Sequence, residues 1–153
     1  TALYVPTVAR TYRKAIDDYL ESPEKYRENL EWYREEIGKC TYREFTTGFY
    51  FGKPGSDTQI YDSSTYVKNY TYLGTVEETD GRGFGRIEQK NKFSVGETIE
   101  IMKPDGRNVE VTVKGIFRED GESQESAPHP QQVLFIDLDG QAEPYDILRK
   151  RED

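Results

Sequence analysis

The stretch Asn91-Lys92-Phe93-Ser94-Val95-Gly96-Glu97-Thr98-Ile99-Glu100-Ile101-Met102-Lys103-Pro104-Asp105-Gly106 decides the fold class. Gly96 marks one turn and Pro104-Asp105-Gly106 a second, and between them Ile99 and Ile101 alternate with Thr98 and Glu100. A period of two is the pattern of a strand with one buried face. After the second turn Val109, Val111 and Val113 repeat the alternation, which predicts an antiparallel hairpin. Burial is therefore expected for Ile99, Ile101, Val109, Val111 and Val113.

The same period extends outward from this hairpin. Tyr70 to Glu77 reads as a strand with Tyr70, Tyr72 and Val76 on one face. Asp80-Gly81 signals a hairpin turn into a strand around Gly85 to Lys90. A polar connection, Arg118 to Pro130, leads to Val133–Asp137, read as the final strand. That run is apolar on both faces, so it is expected at the centre of the sheet with Val133 and Phe135 buried. Lys53 to Ser64 reads as a loop, with Pro54-Gly55 and Asp62-Ser63-Ser64 as breakers. It follows Phe49-Tyr50-Phe51, a short aromatic run between Gly48 and Gly52. Short strands punctuated by glycine turns predict a mostly β fold, a small antiparallel β-barrel.

Two α-helices are predicted ahead of the barrel. Pro6 suits the start of one over 6–21, with Val8, Tyr12, Ala15, Ile16, Tyr19 and Leu20 at helical spacing. Ser22-Pro23 caps a second over 23–37, where Tyr26, Leu30, Tyr33 and Ile37 form the apolar stripe and Gly38 ends it. The change of period between Gly38 and Phe45 divides the chain into a helical segment, 1–40, and a β-barrel domain, 41–153. Arg10, Arg13 and Lys14 read as a solvated helix face. The abrupt entry into a helix from Thr1 is what a piece of a longer protein would show.

Composition narrows the function classes. The net charge of −8 over 153 residues argues against avid, non-specific phosphate binding. A 13% aromatic content, with twelve tyrosines, argues against disorder. Cys40 is the only cysteine, so neither an internal disulfide nor a cysteine zinc cluster can form. No apolar run reaches membrane-spanning length and no signal-peptide pattern opens the chain. No membrane partner and no cofactor are therefore expected, and the cytoplasm is the expected compartment.

Few residues carry a chemical pattern. His129, the only histidine, lies between prolines in Ala127-Pro128-His129-Pro130, a binding candidate or a plain loop residue. Cys40 has Lys39 and Arg43 nearby, which would favour a reactive thiol, against the more ordinary reading of a small buried apolar residue. Gly81-Arg82-Gly83-Phe84-Gly85-Arg86 lacks phosphate-loop spacing and reads as a glycine-rich hairpin. Arg82, Arg86, Lys90 and Lys92 form a basic run with Phe84 and Phe93 near its ends. Basic residues interleaved with aromatics suit a nucleic-acid-binding barrel. The alternative is a solvated face paired to Glu88 and Glu100. Asp57, Asp62, Glu77, Glu78 and Asp80 follow no calcium-loop pattern, and no catalytic residue or metal ligand set is assigned.

Taken in order, Thr46-Thr47-Gly48-Phe49-Tyr50-Phe51-Gly52, Tyr72-Leu73-Gly74, the Asn91 to Gly106 block, His129-Pro130 and Tyr145-Asp146-Ile147-Leu148-Arg149-Lys150 resemble the carboxyl-terminal domain of peptidase family U32, the collagenase-like peptidases. Tyr4-Val5 through Ala15-Ile16-Asp17 resembles the last helix of that family's larger, TIM-like upstream domain. The resemblance implies that the chemistry, with its paired cysteines, lies in the upstream domain, and that this chain is catalytically inactive alone. It implies the upstream catalytic domain as a partner, with a non-catalytic accessory role in positioning a polypeptide substrate. Other family members are linked to hydroxylation of a uridine in transfer RNA, which makes an RNA-binding module the alternative; the closing Tyr145 to Lys150 run and Lys39-Cys40 are closest to that branch. A structural or dimerisation domain, using the apolar face of the first helix, is a third reading.

Overall fold

A computed structural model describes residues 2–42, 45, 47–55 and 68–152. The breakers Asp62-Ser63-Ser64, with Asp57, Arg43 and Thr46, lie outside the described residues. Three helices come first: α1 (Tyr4–Glu21), α2 (Pro23–Glu28) and α3 (Leu30–Ile37). Eight strands follow: β1 (Tyr70–Thr79), β2 (Gly85–Glu88), β3 (Thr98–Met102), β4 (Asn108–Thr112), β5 (Gly115–Phe117), β6 (Ser123–Gln124), β7 (Val133–Asp137) and β8 (Ile147–Arg151).

All strand pairs are antiparallel, in the order β4-β3-β8-β1-β2-β7-β5-β6. Only Val113 and Lys114 separate β4 from β5, so the chain runs directly from one end of the sheet towards the other. Gly96 N–H donates to Val113 O and Lys114 N–H to Asp137 O, and these bonds curl the sheet around a single core. The mostly β, antiparallel barrel-like fold expected from the sequence is thus what the chain forms, as an eight-stranded sheet curled into a half-barrel. The β3–β4 hairpin has the predicted register, Ile99 opposite Val111 and Ile101 opposite Val109. Its corners use left-handed glycines at Gly96 (φ 87°) and Gly106 (φ 97°), a conformation in which a Cβ is strained.

Several sequence expectations need correction. On β7 the buried residues are Leu134 and Ile136, while Val133 and Phe135 are half-buried. Both parities of that run are apolar, and pairing with β2 chooses between them: Ile87 and Leu134 face the core together, Arg86 and Phe135 the outside. Val109 is likewise only half-buried, packed against the core edge. Tyr70 and Tyr72 do not share a face with Val76, because β1 shifts register between Tyr72 and Gly74 against β8. That irregularity sends Leu73 and Val76 into the barrel and leaves the tyrosines outside. Val133–Asp137 is central, between β2 and β5, but it is not last: β8 follows and lies between β3 and β1. The polar connection contains β6, paired to β5.

The second predicted helix breaks in two at Asn29, whose side-chain amide donates to Asp18 Oδ2 at 3.0 Å. Asp18 also accepts from Tyr33 Oη at 2.7 Å and Lys14 Nζ at 3.0 Å, and these bonds tie the helices together. Burial opposes ionisation of Asp18, but these donors outweigh it and hold its carboxyl at about 2. Burial and the Asp18 carboxylate push the Tyr33 hydroxyl up to about 12. A depressed acid stabilises the fold above its unfolded value and loses that contribution as pH falls through its folded one. The Asp18 contribution is therefore complete above 3.8 and lost as pH falls towards 2. Tyr33, a raised group, contributes below 10.0 and loses that contribution as pH rises through about 12. Asp18→Asn is expected to cost about 1.5–3 kcal/mol near neutrality. Urea midpoints followed into acid should converge for wild type and variant; a gap independent of pH would refute this assignment.

Side chains of α1 and α3 pack on the outer face of β3 and β8, through Thr7 to Met102 and Glu36 to Arg149. Thr7, Arg10, Thr11 and Asp18 are the buried residues of α1, while Val5, Tyr12, Ile16, Tyr19 and Leu20 on its apolar side are exposed. This helix thus turns its polar face inward. Cys40 is fully buried with Leu3 and Met102, bordered by Tyr70, Tyr72 and Ile147. Burial pushes its thiol up, so it is a packing residue and a poor nucleophile.

Candidate functional site

Alternation along β8 builds two environments from one strand. Leu148 enters the barrel core, whereas Ile147 and Arg149 face the helices. Arg149 is fully buried there. Its Nη2 donates to Glu36 Oε1 at 2.6 Å and its Nε to Glu100 Oε1 at 2.5 Å. Glu36, also fully buried, accepts from Arg10 Nη2 and, at 2.8 Å, from Asn108 Nδ2. Arg10 Nη1 donates to the carbonyls of Lys103 and Arg107, at 3.0 and 3.2 Å. Burial works against the charged Glu36, but Arg149 and Arg10 prevail and hold its carboxyl below the usual range. The network locks α1 and α3 to the β3–β8 surface.

Where the helical layer ends, the same outer face emerges into a cleft of about 580 Å³ between the end of α3 and the β1–β8 pair. Arg34, Lys39 and Arg151 bring cations to it, Glu35 and Glu152 bring acids, and Tyr42 and Tyr70 bring rings. Arg151 faces outward on the parity of Arg149, opposite Tyr70. Its side chain has no ion-pair or hydrogen-bond partner among the described residues. Arg34 is exposed and, among the described residues, its one ion-pair partner is Glu31, at 3.7 Å. Lys39 lies 3.3 Å from Glu36 and 3.5 Å from Glu100, with its ammonium 5.7 Å from the centre of the Tyr70 ring. Arg149 lies 5.0 Å from the centre of that same ring, so the floor of the cleft is fixed by the buried network. The cleft thus sets an unneutralised guanidinium beside two aromatic rings. That combination suits a phosphate and a base.

The residues singled out in the sequence occupy a different part of the barrel. Arg86 and Lys90 share strand parity, but Arg86 pairs with Glu77 and lies 3.6 Å from Glu78 and 3.9 Å from Glu119, while Lys90 pairs with Glu88. Arg82 bonds Asp80 at 2.6 Å and covers Phe84, which stacks on Phe117 at 5.2 Å. Lys92 borders a shallow depression with Ser94, Val95, Glu125 and Ser126. His129 is exposed on a loop pinned beside Lys90, since Gln89 Nε2 donates to Ala127 O at 2.6 Å and Gln131 N–H to Gln89 O at 2.7 Å. Phe93 is fully buried in the core and presents no ring to a ligand. The glycine-rich stretch forms the β1–β2 turn, with Asp80 Oδ1 accepting from Arg82 N–H and Phe84 N–H. Sequence reasoning missed the cleft because its members come from α3, the segment after it, β1 and β8. The one usable signal was Arg149 and Arg151 on a single parity of the closing run.

Among the described residues no three His, Cys, Asp or Glu side chains converge as metal ligands, and no helix is long and apolar enough to cross a membrane. The family model for the peptidase family U32 C-terminal domain matches residues 68–149, and that for peptidase family U32 matches residues 1–60. The chain is 34% identical to tRNA hydroxylation protein P1 of Bacillus subtilis, over 96% of this chain and 35% of that protein. It is 29% identical to tRNA hydroxylation protein P of Escherichia coli, over 87% of this chain and 28% of that protein. The chain thus spans about a third of the length of these relatives. A crystal structure of the C-terminal domain of a Geobacillus thermoleovorans protein described as a U32 peptidase is 28% identical, with a TM-score of 0.48, covering 52% of this chain and 99% of that one.

Proposed function

Since the chain belongs to peptidase family U32, we propose that it is the RNA-holding C-terminal part of a family member that acts on transfer RNA, with the chemistry carried by the upstream part of the protein. The observation that carries this reading is the cleft at the end of α3, where Arg34, Lys39 and Arg151 stand beside Tyr42 and Tyr70 in a chain of net charge −8. Arg151, left without a carboxylate partner among the described residues in so acidic a chain, has a use, with the exposed Arg34 beside it, and a phosphate backbone with unstacked bases is the ligand that needs both cation and ring. The relatives named as tRNA hydroxylation proteins support the choice of RNA. The accessory division is one of roles: the helical segment and barrel hold, the upstream domain reacts. The outward apolar face of α1, with Tyr12, Ile16, Tyr19 and Leu20, is the surface for that upstream domain.

A polypeptide-positioning role is the second reading, favoured by the acidic surface and by the family's name. A tRNA titration of the chain at two salt concentrations separates the two. Each phosphate contact contributes about one unit to the slope of log affinity against log salt. Arg34→Glu with Arg151→Glu should therefore lower the slope by about two and weaken binding at low salt. Arg86→Glu with Lys90→Glu should have the smaller effect, because Glu77, Glu78 and Glu88 already neutralise those cations. If the Arg34 and Arg151 pair binds like wild type, the cleft is not the RNA site. If wild type fails to bind at low salt, the RNA role is excluded and the polypeptide reading replaces it.

A further inference from the structure

The most exposed run of aromatic residues among the described residues takes no part in the cleft, the core or the helical layer. Phe49, Tyr50 and Phe51 are 78%, 85% and 82% exposed, three consecutive rings at the end of a short turn. Tyr50 N–H donates to Thr47 O at 3.0 Å and Gly52 N–H to Phe49 O at 3.2 Å, which makes the tip a defined turn. Gly48 (φ 50°) and Gly52 (φ 130°) bracket it in the left-handed region, where side chains are disfavoured. The Tyr50 and Phe51 rings meet edge to face at 5.0 Å, and both remain more than four-fifths exposed. Adjacent large rings left in water mark a surface meant for a partner.

We infer that Phe49, Tyr50 and Phe51 form a stacking tip for unpaired bases, so that the RNA held by this chain is gripped at a single-stranded loop and not along a duplex stem. Charge favours this occupant. The segment from Phe45 to Gly55 contains Lys53 and no carboxylate, in a chain with 29 acidic residues among 153. Continuity favours it too. Tyr42 lines the cleft and stacks on Phe45 at 4.7 Å and 3°, and Phe45 is 58% exposed, so aromatic surface runs in chain order from the cleft towards the tip. Planar faces accept any base, and a duplex hides the faces that would stack. The inference rests on the RNA reading proposed above.

The test compares a short single-stranded RNA of mixed sequence with the duplex it forms with its complement. Binding is measured for wild type, for Phe49→Ser/Tyr50→Ser/Phe51→Ser, and for Phe49→Tyr/Phe51→Tyr, which keeps the rings. Each lost stack costs on the order of 10-fold in affinity, so the serine variant should lose roughly 10-fold or more for the single strand. Its duplex affinity and salt slope should stay at wild-type values, since no charge is removed, and the tyrosine variant should bind like wild type. The exposed position of the tip leaves the fold intact, which the unfolding midpoint verifies. If the serine variant binds single strands as well as wild type while Arg34→Glu/Arg151→Glu weakens them, the stacking tip is refuted and the cleft stands. If wild type binds neither RNA, the RNA reading falls and takes the tip with it. Equal losses for strand and duplex would also overturn the inference.

Discussion

Glu36→Ala is expected to destabilise the chain by about 3–5 kcal/mol, because it leaves Arg10 buried without a carboxylate and takes one of two from the buried Arg149. Arg149 has a fully buried side chain, that of Arg10 is 7% exposed, and both aim a nitrogen at Glu36 Oε1. Arg149 keeps Glu100, whereas Arg10 keeps no carboxylate among the described residues, but the two carbonyls, Asn108 and the Trp32 ring at 6.0 Å. Against a total stability of about 5–15 kcal/mol, that loss is large enough to read directly from a urea midpoint. Replacing the triad together by apolar residues of similar volume should recover much of the loss, since desolvation is then no longer imposed on unpaired charge. A Glu36→Ala variant within about 1 kcal/mol of wild type would show that the apolar contacts of Leu3, Cys40 and Met102 suffice to hold the helices. The functional consequence is local: Glu36 also lies 3.3 Å from Lys39, so the cleft should lose its floor before the barrel unfolds.

The hairpin at the heart of the barrel was legible because its alternation is unambiguous. Ile99 and Val111 have polar neighbours on either side and Ile101 shares the parity of Ile99, so a single register buries them. On β7 the information is missing from the strand itself, since Val-Leu-Phe-Ile offers apolar residues to either face and only β2 decides. The irregularity in β1 is invisible in the same way: nothing in Tyr-Thr-Tyr-Leu-Gly announces that Leu73 and Val76 will share the core. The inward polar face of α1 inverts the usual expectation. Charged residues at helical spacing read as solvated, yet Arg10 meets its partners on α3 and on the segments around the β3–β4 turn. A buried ion pair is a property of two distant segments, and a period within one of them carries no trace of it. The cleft is obscure for the same reason. The Arg82–Lys92 run is prominent as sequence because its cations are adjacent, while the carboxylates that neutralise Arg86 come from β1 and from the polar connection after β5.

Phe93→Ala is expected to cost about 3–5 kcal/mol, the range for a fully buried aromatic whose neighbours can only partly collapse into the cavity. The ring is fully buried in the core that contains Ile99, Val113 and Leu134, and the backbone around it is fixed: Ala127 N–H donates to Phe93 O at 2.9 Å and Ser94 bridges Ser126. Those bonds close the polar connection over the barrel, so the cavity should loosen the loop that carries His129. Phe93→Leu removes less volume and should cost under about 1.5 kcal/mol if the site repacks. The experiment also separates core from surface aromatics. At a temperature where the alanine variant is still fully folded, its RNA affinity and salt slope should match wild type, in contrast to the serine variant of the Phe49–Phe51 tip. A folded Phe93→Ala variant that nevertheless lost single-stranded RNA would mean that the ring leaves the core to meet the ligand. In that case the stacking role assigned to the exposed tip would have to be shared with the basic run beside Lys92.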